Sequence, residues 1–117
     1  MLSKLVPLLL FAASAMAEEP AYRLRIDSTV EASKLIVSPV IAAPAGSRLR
    51  YEMISSKQGR SGKSNTSQSG AVTIGADGSG KLSTLRLGVG RDERYLVTVK
   101  VYDDGKLVAE QVLRHPE

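Results

Sequence analysis

An all-β fold of about seven short antiparallel strands is what this sequence predicts, on three observations. Apolar residues alternate with polar ones at period two, these segments recur at intervals near ten residues, and glycine-, proline- or aspartate-bearing turns separate them.

The first strand is expected at Tyr22-Arg23-Leu24-Arg25-Ile26-Asp27, where the alternation leaves one face to bury. Lys34 to Ala42, rich in the β-branched Ile36, Val37, Val40 and Ile41, predicts the second. Pro39 has no N–H to give a ladder, so either a bulge sits there or that stretch lies at an edge. Pro44-Ala45-Gly46 turns the chain into a third strand, Arg48 to Met53, with Leu49, Tyr51 and Met53 inward and Arg48, Arg50 and Glu52 outward. From Lys57 to Gly70 the composition changes to Gly, Ser, Asn, Gln and Lys, which predicts a solvated loop or a loosely held edge.

Two further short strands, Ala71 to Ile74 and Lys81 to Leu87, are expected to form a hairpin through Gly75 to Gly80, whose Asp77-Gly78 pair tolerates positive φ. Arg94 to Tyr102 alternates most cleanly, with Tyr95, Val97, Val99 and Val101 on one side and Arg94, Leu96, Thr98 and Lys100 on the other, and should be central. Asp103-Asp104-Gly105 then leads into Lys106 to Leu113, read as a seventh strand or, alternatively, as a terminal helix capped by Asp103. Strands of this number and spacing point to a two-sheet Greek-key arrangement, an immunoglobulin-like β-sandwich. Tyr95 stands two residues before inward Val97, where such folds carry a tyrosine corner. With valine in place of the second cysteine and no tryptophan, the core is expected to be plainly aliphatic.

Ahead of this domain, Lys4 precedes the apolar run Leu5 to Ala13, and Ser14-Ala15-Met16-Ala17 follows with small residues. That order reads as a signal peptide over residues 1–17, cut between Ala17 and Glu18, which leaves residues 18–117 as one exported domain. The run is too short to span a bilayer, which takes roughly 20 residues, so no membrane insertion is expected after cleavage. The chain has no cysteine, hence neither a lipoprotein acceptor nor a disulfide, and burial alone must hold the fold.

The net charge of +4 mildly favours an acidic partner. Nucleic acid is not that partner, because aromatics are only 4% of residues and basic-plus-aromatic interleaving is missing. Gly62-Lys63-Ser64 looks like the end of a phosphate loop, but its first glycine would fall at Lys57 and no strand-to-helix context follows. A calcium loop starting at Asp77 fails at Lys81 and at Gly88, where a bidentate glutamate belongs. Asp92-Glu93 and Asp103-Asp104 sit at turns, and His115, the lone histidine, lies near the C-terminus, so no catalytic residue, metal site or cofactor is expected. Asn65-Thr66-Ser67 has the form of a glycosylation sequon.

Strand parity places Arg48, Arg50, Arg94 and Lys100 outward on two strands that neighbour each other in an immunoglobulin-type sheet. Exposed cations keep sheets soluble and guard their edges. The same four residues would also make a binding face for a partner.

The stretch Gln58-Gly59-Arg60-Ser61-Gly62-Lys63-Ser64-Asn65-Thr66-Ser67-Gln68-Ser69-Gly70, with Ala76-Asp77-Gly78 and the strand around Tyr95, resembles the CsgC/CsgH family of curli-subunit chaperones. The resemblance implies an immunoglobulin-like periplasmic protein, not an enzyme, that inhibits premature polymerisation of curli-type amyloid subunits. Some relatives carry a Cys-x-Cys pair that this chain lacks, so the cysteine-free, CsgH-like branch is the closer match. Arg48, Arg50, Arg94 and Lys100 would then bind the client. The alternative is a structural pilus or adhesin module, although Glu18 to Ala21 offers little apolar alternation for a donor strand; a chaperone should be monomeric.

Overall fold

The computed structural model describes residues 21–60 and 62–116. The expected signal peptide and its cleavage site lie outside them. Eight strands follow in order: β1 (Arg23–Glu31), β2 (Lys34–Ala42), β3 (Arg48–Gly59), β4 (Gly62–Thr73), β5 (Ser79–Lys81), β6 (Leu85–Gly88), β7 (Arg94–Asp103) and β8 (Lys106–His115). They form two antiparallel sheets, one of β1, β2, β5 and β6 and the other ordered β4-β3-β7-β8, so the all-β sandwich expected from the alternation is present.

The core follows that alternation closely. Leu35, Val37 and Ile41 of one sheet meet Leu49, Met53, Val97, Val99 and Val101 of the other, each 1% exposed or less. β7 is central, paired with β3 on one side and β8 on the other. β8 is a strand, not a helix. Asp104 and Gly105, both at positive φ, make the two-residue loop between Asp103 and Lys106 that a tight hairpin demands.

One open expectation is decided by the structure and another needs correction. Lys57 to Gly70 is not a loop: β3 runs on to Gly59, and β4 pairs with it without interruption from Gly59↔Gly62 to Arg48↔Thr73. Main-chain pairing does not need apolar side chains, and here polar ones reinforce it, with Ser55 Oγ 2.6 Å from Thr66 Oγ1 and Ser56 Oγ donating to Asn65 Oδ1 at 2.8 Å. The segment is the edge that the sequence left as its second option.

The hairpin expected around Asp77-Gly78 is also absent. Ala71 to Thr73 ends β4 in one sheet, while β5 and β6 both pair with β2 in the other. The turn reverses the chain but delivers it across the sandwich, since Ala43 N–H donates to the Gly78 carbonyl and thereby hands the chain to β2. Pro39 explains why the third strand of that sheet is broken. Its carbonyl accepts from Leu82 N–H, so its missing N–H faces the gap between β5 and β6, where the register shifts by one residue. The irregularity expected at Pro39 therefore lies on the partner strand.

Three of the four tyrosines tie the sheets together. Tyr22 Oη donates to Asp103 Oδ2 at 2.5 Å, Tyr51 Oη lies 2.6 Å from Ser83 Oγ, and Tyr95 Oη donates to the Gly88 carbonyl seven residues upstream. Tyr51 crosses β4 at Gly70, where an added Cβ would stand 2.7 Å from the tyrosine oxygen. Only glycine lets that ring lie flat.

A neutral hydrogen bond of this kind is worth about 1 kcal/mol. Tyr51→Phe and Tyr95→Phe should each lower the thermal midpoint by roughly 4–8 °C, the shift such a loss produces in a domain of this size. Tyr102→Phe, on the outer face, should leave it in place. At the β1–β2 turn, Ala32 and Ser33 both hold positive φ without glycine. Replacing the pair by Asn-Gly should raise stability by about 1 kcal/mol in urea denaturation; a fall would show that the turn is not strained.

Candidate functional site

The outer face of the β4-β3-β7-β8 sheet is set by register. β3 and β7 pair even residue with even residue, as in Arg50↔Tyr102, Glu52↔Lys100 and Gln58↔Arg94, so all outward positions of both strands share one surface. β8 adds Glu110 opposite Lys100, Val112 opposite Thr98 and Arg114 opposite Leu96. β4 adds Lys63 opposite Gln58 and small or polar residues elsewhere, including Ala71 opposite Arg50.

Arg48, Arg50, Arg94 and Lys100 all lie on this face, but they do not form one cluster. Arg48 and Arg50 are exposed at one end. Arg94, opposite Gln58, is displaced from Arg50 by eight residues along β3, which is about 27 Å at the rise of a strand. Lys100 sits between them with a carboxylate on each side, Glu52 on β3 and Glu110 on β8. Cross-strand neighbours of opposite charge attract, so its field is largely cancelled locally. Between the two cationic ends runs an apolar band, in which Val112 is 44% and Leu96 38% exposed.

Two functional candidates escaped the sequence reading. Arg114 joins Arg94, Ser56, Gln58, Leu96, His115 and Pro116 around a shallow depression of about 240 Å³. The expected seventh strand stopped at Leu113; continued alternation through Val112 and Arg114 was the available signal. Lys63 was hidden by the loop reading of its segment, yet it strengthens the same cationic end.

The neighbouring acids are already engaged. Glu93 takes the Gly90 N–H at 2.9 Å and Lys57 Nζ at 3.1 Å. Its pKa is lowered, first by the Gly90 amide and then by the Lys57 hydrogen bond, while Lys57 is raised mainly by its hydrogen bond to Glu93. Arg60 reaches Asp92 at 3.4 Å. Asp77 serves its turn, accepting from the Ser79 hydroxyl at 2.9 Å and from Ser79 N–H at 3.1 Å, which lower its pKa in that order of effect. Gly62-Lys63-Ser64 opens a strand and His115 pairs with Tyr95 at the end of another. Among the described residues, no three His, Asp or Glu side chains gather as metal ligands.

The accessible chemistry is thus an open sheet surface of a small β-sandwich. Residues 16–113 match the model of the Tafi-CsgC family, thin aggregative fimbriae synthesis protein, and the chain belongs to that curli-related family. Its lack of cysteine fits the cysteine-free branch. The solution structure of R. palustris CsgH is similar, with a TM-score of 0.63 and 21% identity over 79% of this chain and 90% of that one. The E. coli curli protein CsgC is similar at a TM-score of 0.61 and 20% identity, over 82% of this chain and 99% of that one. Comparison with the curated proteins gives no match. At these identities the structural likeness supports the fold, and the family rests on the sequence match.

Because Glu93 titrates lower folded than unfolded, its contribution is present above the unfolded carboxylate pKa and is lost as pH falls through the folded value. Glu93→Gln should therefore lower the urea midpoint near neutral pH and flatten its decline in acid, the two proteins converging at the acid end. Parallel curves would deny Glu93 this role.

Proposed function

We propose that this chain is a periplasmic, non-catalytic chaperone that inhibits premature polymerisation of curli-type amyloid subunits by transient binding, as a monomer and without a cofactor. Membership of the thin aggregative fimbriae synthesis family supports the pathway. The observation that carries the binding mode is the open outer sheet face, with Arg48 and Arg50 at one end and Arg94 at the other. Exposed cations of this kind raise encounter rates with acidic segments without producing a long-lived complex. Short residence suits a chaperone that must release its client for export.

Register ranks the four cations. Arg48 and Arg50 should matter most, Arg94 next to Arg114 should follow, and Lys100, flanked by Glu52 and Glu110, should matter least. The test adds the protein, well below equimolar, to a polymerising curli-type subunit and follows dye-reported fibre growth. Wild type should lengthen the lag, and Arg48→Glu with Arg50→Glu should shorten it several-fold more than Lys100→Glu does. Raising salt from about 0.1 M to about 1 M shortens the Debye length from roughly 10 Å to 3 Å and should weaken the inhibition. An unaltered lag with wild type removes the chaperone reading; a concentration-dependent oligomer in size exclusion would instead favour a structural module.

A further inference from the structure

The four sheet edges are not equally protected. β5 and β6 are short, with three and four residues. β1 carries Arg23, Arg25, Asp27 and Glu31 and packs along β8, which carries Lys106, Glu110 and Arg114 and is bulged opposite Val101 and Tyr102. These are the usual devices that keep a sheet from recruiting another strand. β4 has the fewest of them: twelve residues in continuous register, with Lys63 its only charge and no proline.

The backbone of β4 is also correctly presented. Ile74 N–H donates to the Ser47 carbonyl, which fixes the alternation: even residues of β4 bond to β3, and odd ones point away. The N–H and C=O of Lys63, Asn65, Ser67, Ser69 and Ala71 therefore face solvent along the edge. Side-chain bonds from Ser55 and Ser56 hold the strand in place from behind.

We propose that β4 is a template for strand addition, and that its occupant is an extended, polar, acidic segment of the polymerising client. The identity of that client rests on the chaperone reading; the edge itself does not. Charge selects the occupant. A strand added to β4 runs about 9.5 Å from β3, two strand spacings, and Ala71 and Thr73 are the residues standing before Arg50 and Arg48. Over such small side chains the two guanidinium groups reach carboxylates on the incoming strand, while Lys63 meets another carboxylate eight residues away. Main-chain bonds supply the hold and these cations set the register. Capping one growing β-edge with a closed sandwich blocks the next subunit from adding there.

The probe is a synthetic twelve-residue peptide rich in serine and threonine, with glutamates eight residues apart. Amide exchange of the full domain should slow roughly tenfold or more at Asn65, Ser67 and Ser69 when it is added. A peptide with lysine in place of glutamate should give much less protection, as should Arg48→Glu with Arg50→Glu. Ser67→Pro removes one outward N–H without touching the β3–β4 bonds and should abolish protection, whereas Ser67→Ala should retain it; Ser69→Pro repeats the test should Ser67→Pro not fold. Unchanged exchange at these amides, or effects confined to Thr98, Lys100 and Val112 on the face, overturns the proposal. In fibre growth, Ser67→Pro inhibiting as well as an active wild type overturns the edge while leaving the chaperone function standing. Peptide protection together with an inert wild type keeps the edge and removes the proposed client.

Discussion

The pairing of β3 with β7 is the constraint on which the rest of the molecule depends. Tyr51↔Val101, Met53↔Val99 and Ser55↔Val97 all point inward and are almost wholly buried. Because a strand sends successive side chains to opposite faces, burying this set obliges Arg50, Glu52, Lys100 and Arg94 to stand outside. A slip of one residue would exchange the two sets entirely, at the cost of burying four charges. The core thus fixes the chemistry of the outer face as firmly as any active-site packing would.

With neither disulfide nor tryptophan, the sandwich needs other means of fixing how its sheets sit on one another. Aliphatic contact is non-directional and resists separation better than sliding. Hydroxyls of Tyr22, Tyr51 and Tyr95 supply direction, each bonding to an acceptor or partner on the opposite side of the sandwich. They are spread across both ends, from Asp103 at the β7–β8 turn to Gly88 at the end of β6, so together they restrain rotation as well as separation.

Much of this was legible in the sequence, for a definite reason. Period-two alternation around Tyr51 and Val97 reads directly as face, whereas Asp103-Asp104-Gly105 reads as a turn that a following strand or a capped helix could share. What alternation cannot report is register or sheet membership. Nothing local places Glu52 and Glu110 on either side of Lys100, since that follows from which residues of three separate strands happen to be level. The same blindness let the Asp77-Gly78 turn pass for a hairpin: turn residues specify reversal, while Ile74 and Leu82 on either side of it are buried, and the strand that receives the chain, β2, lies far back in the sequence. For Lys57 to Gly70 the sequence leaves loop and edge both open, because its polarity reports solvent exposure, which an edge strand and a loop share.

That last segment carries a wider point about edges. An exposed, unbroken edge strand recruits other strands, and the other three edges of this sandwich are short, charged or bulged, which prevents it. Leaving one edge open at random should have cost the protein its solubility unless its side chains offered nothing for self-association. β4 meets that condition: between Lys63 and Gly70 its residues are polar, small and almost uncharged, so a second copy finds main-chain bonds but no apolar face to bury. Strand pairing without burial is marginal in water. Two copies of β4 would also bring Lys63, Arg48 and Arg50 of each chain near those of the other in several registers, and like charges across neighbouring strands repel. An edge that is poor at pairing with itself but flanked by cations is selective for acidic strands, which is the property a protein surrounded by aggregation-prone β-segments would need to meet them without joining them.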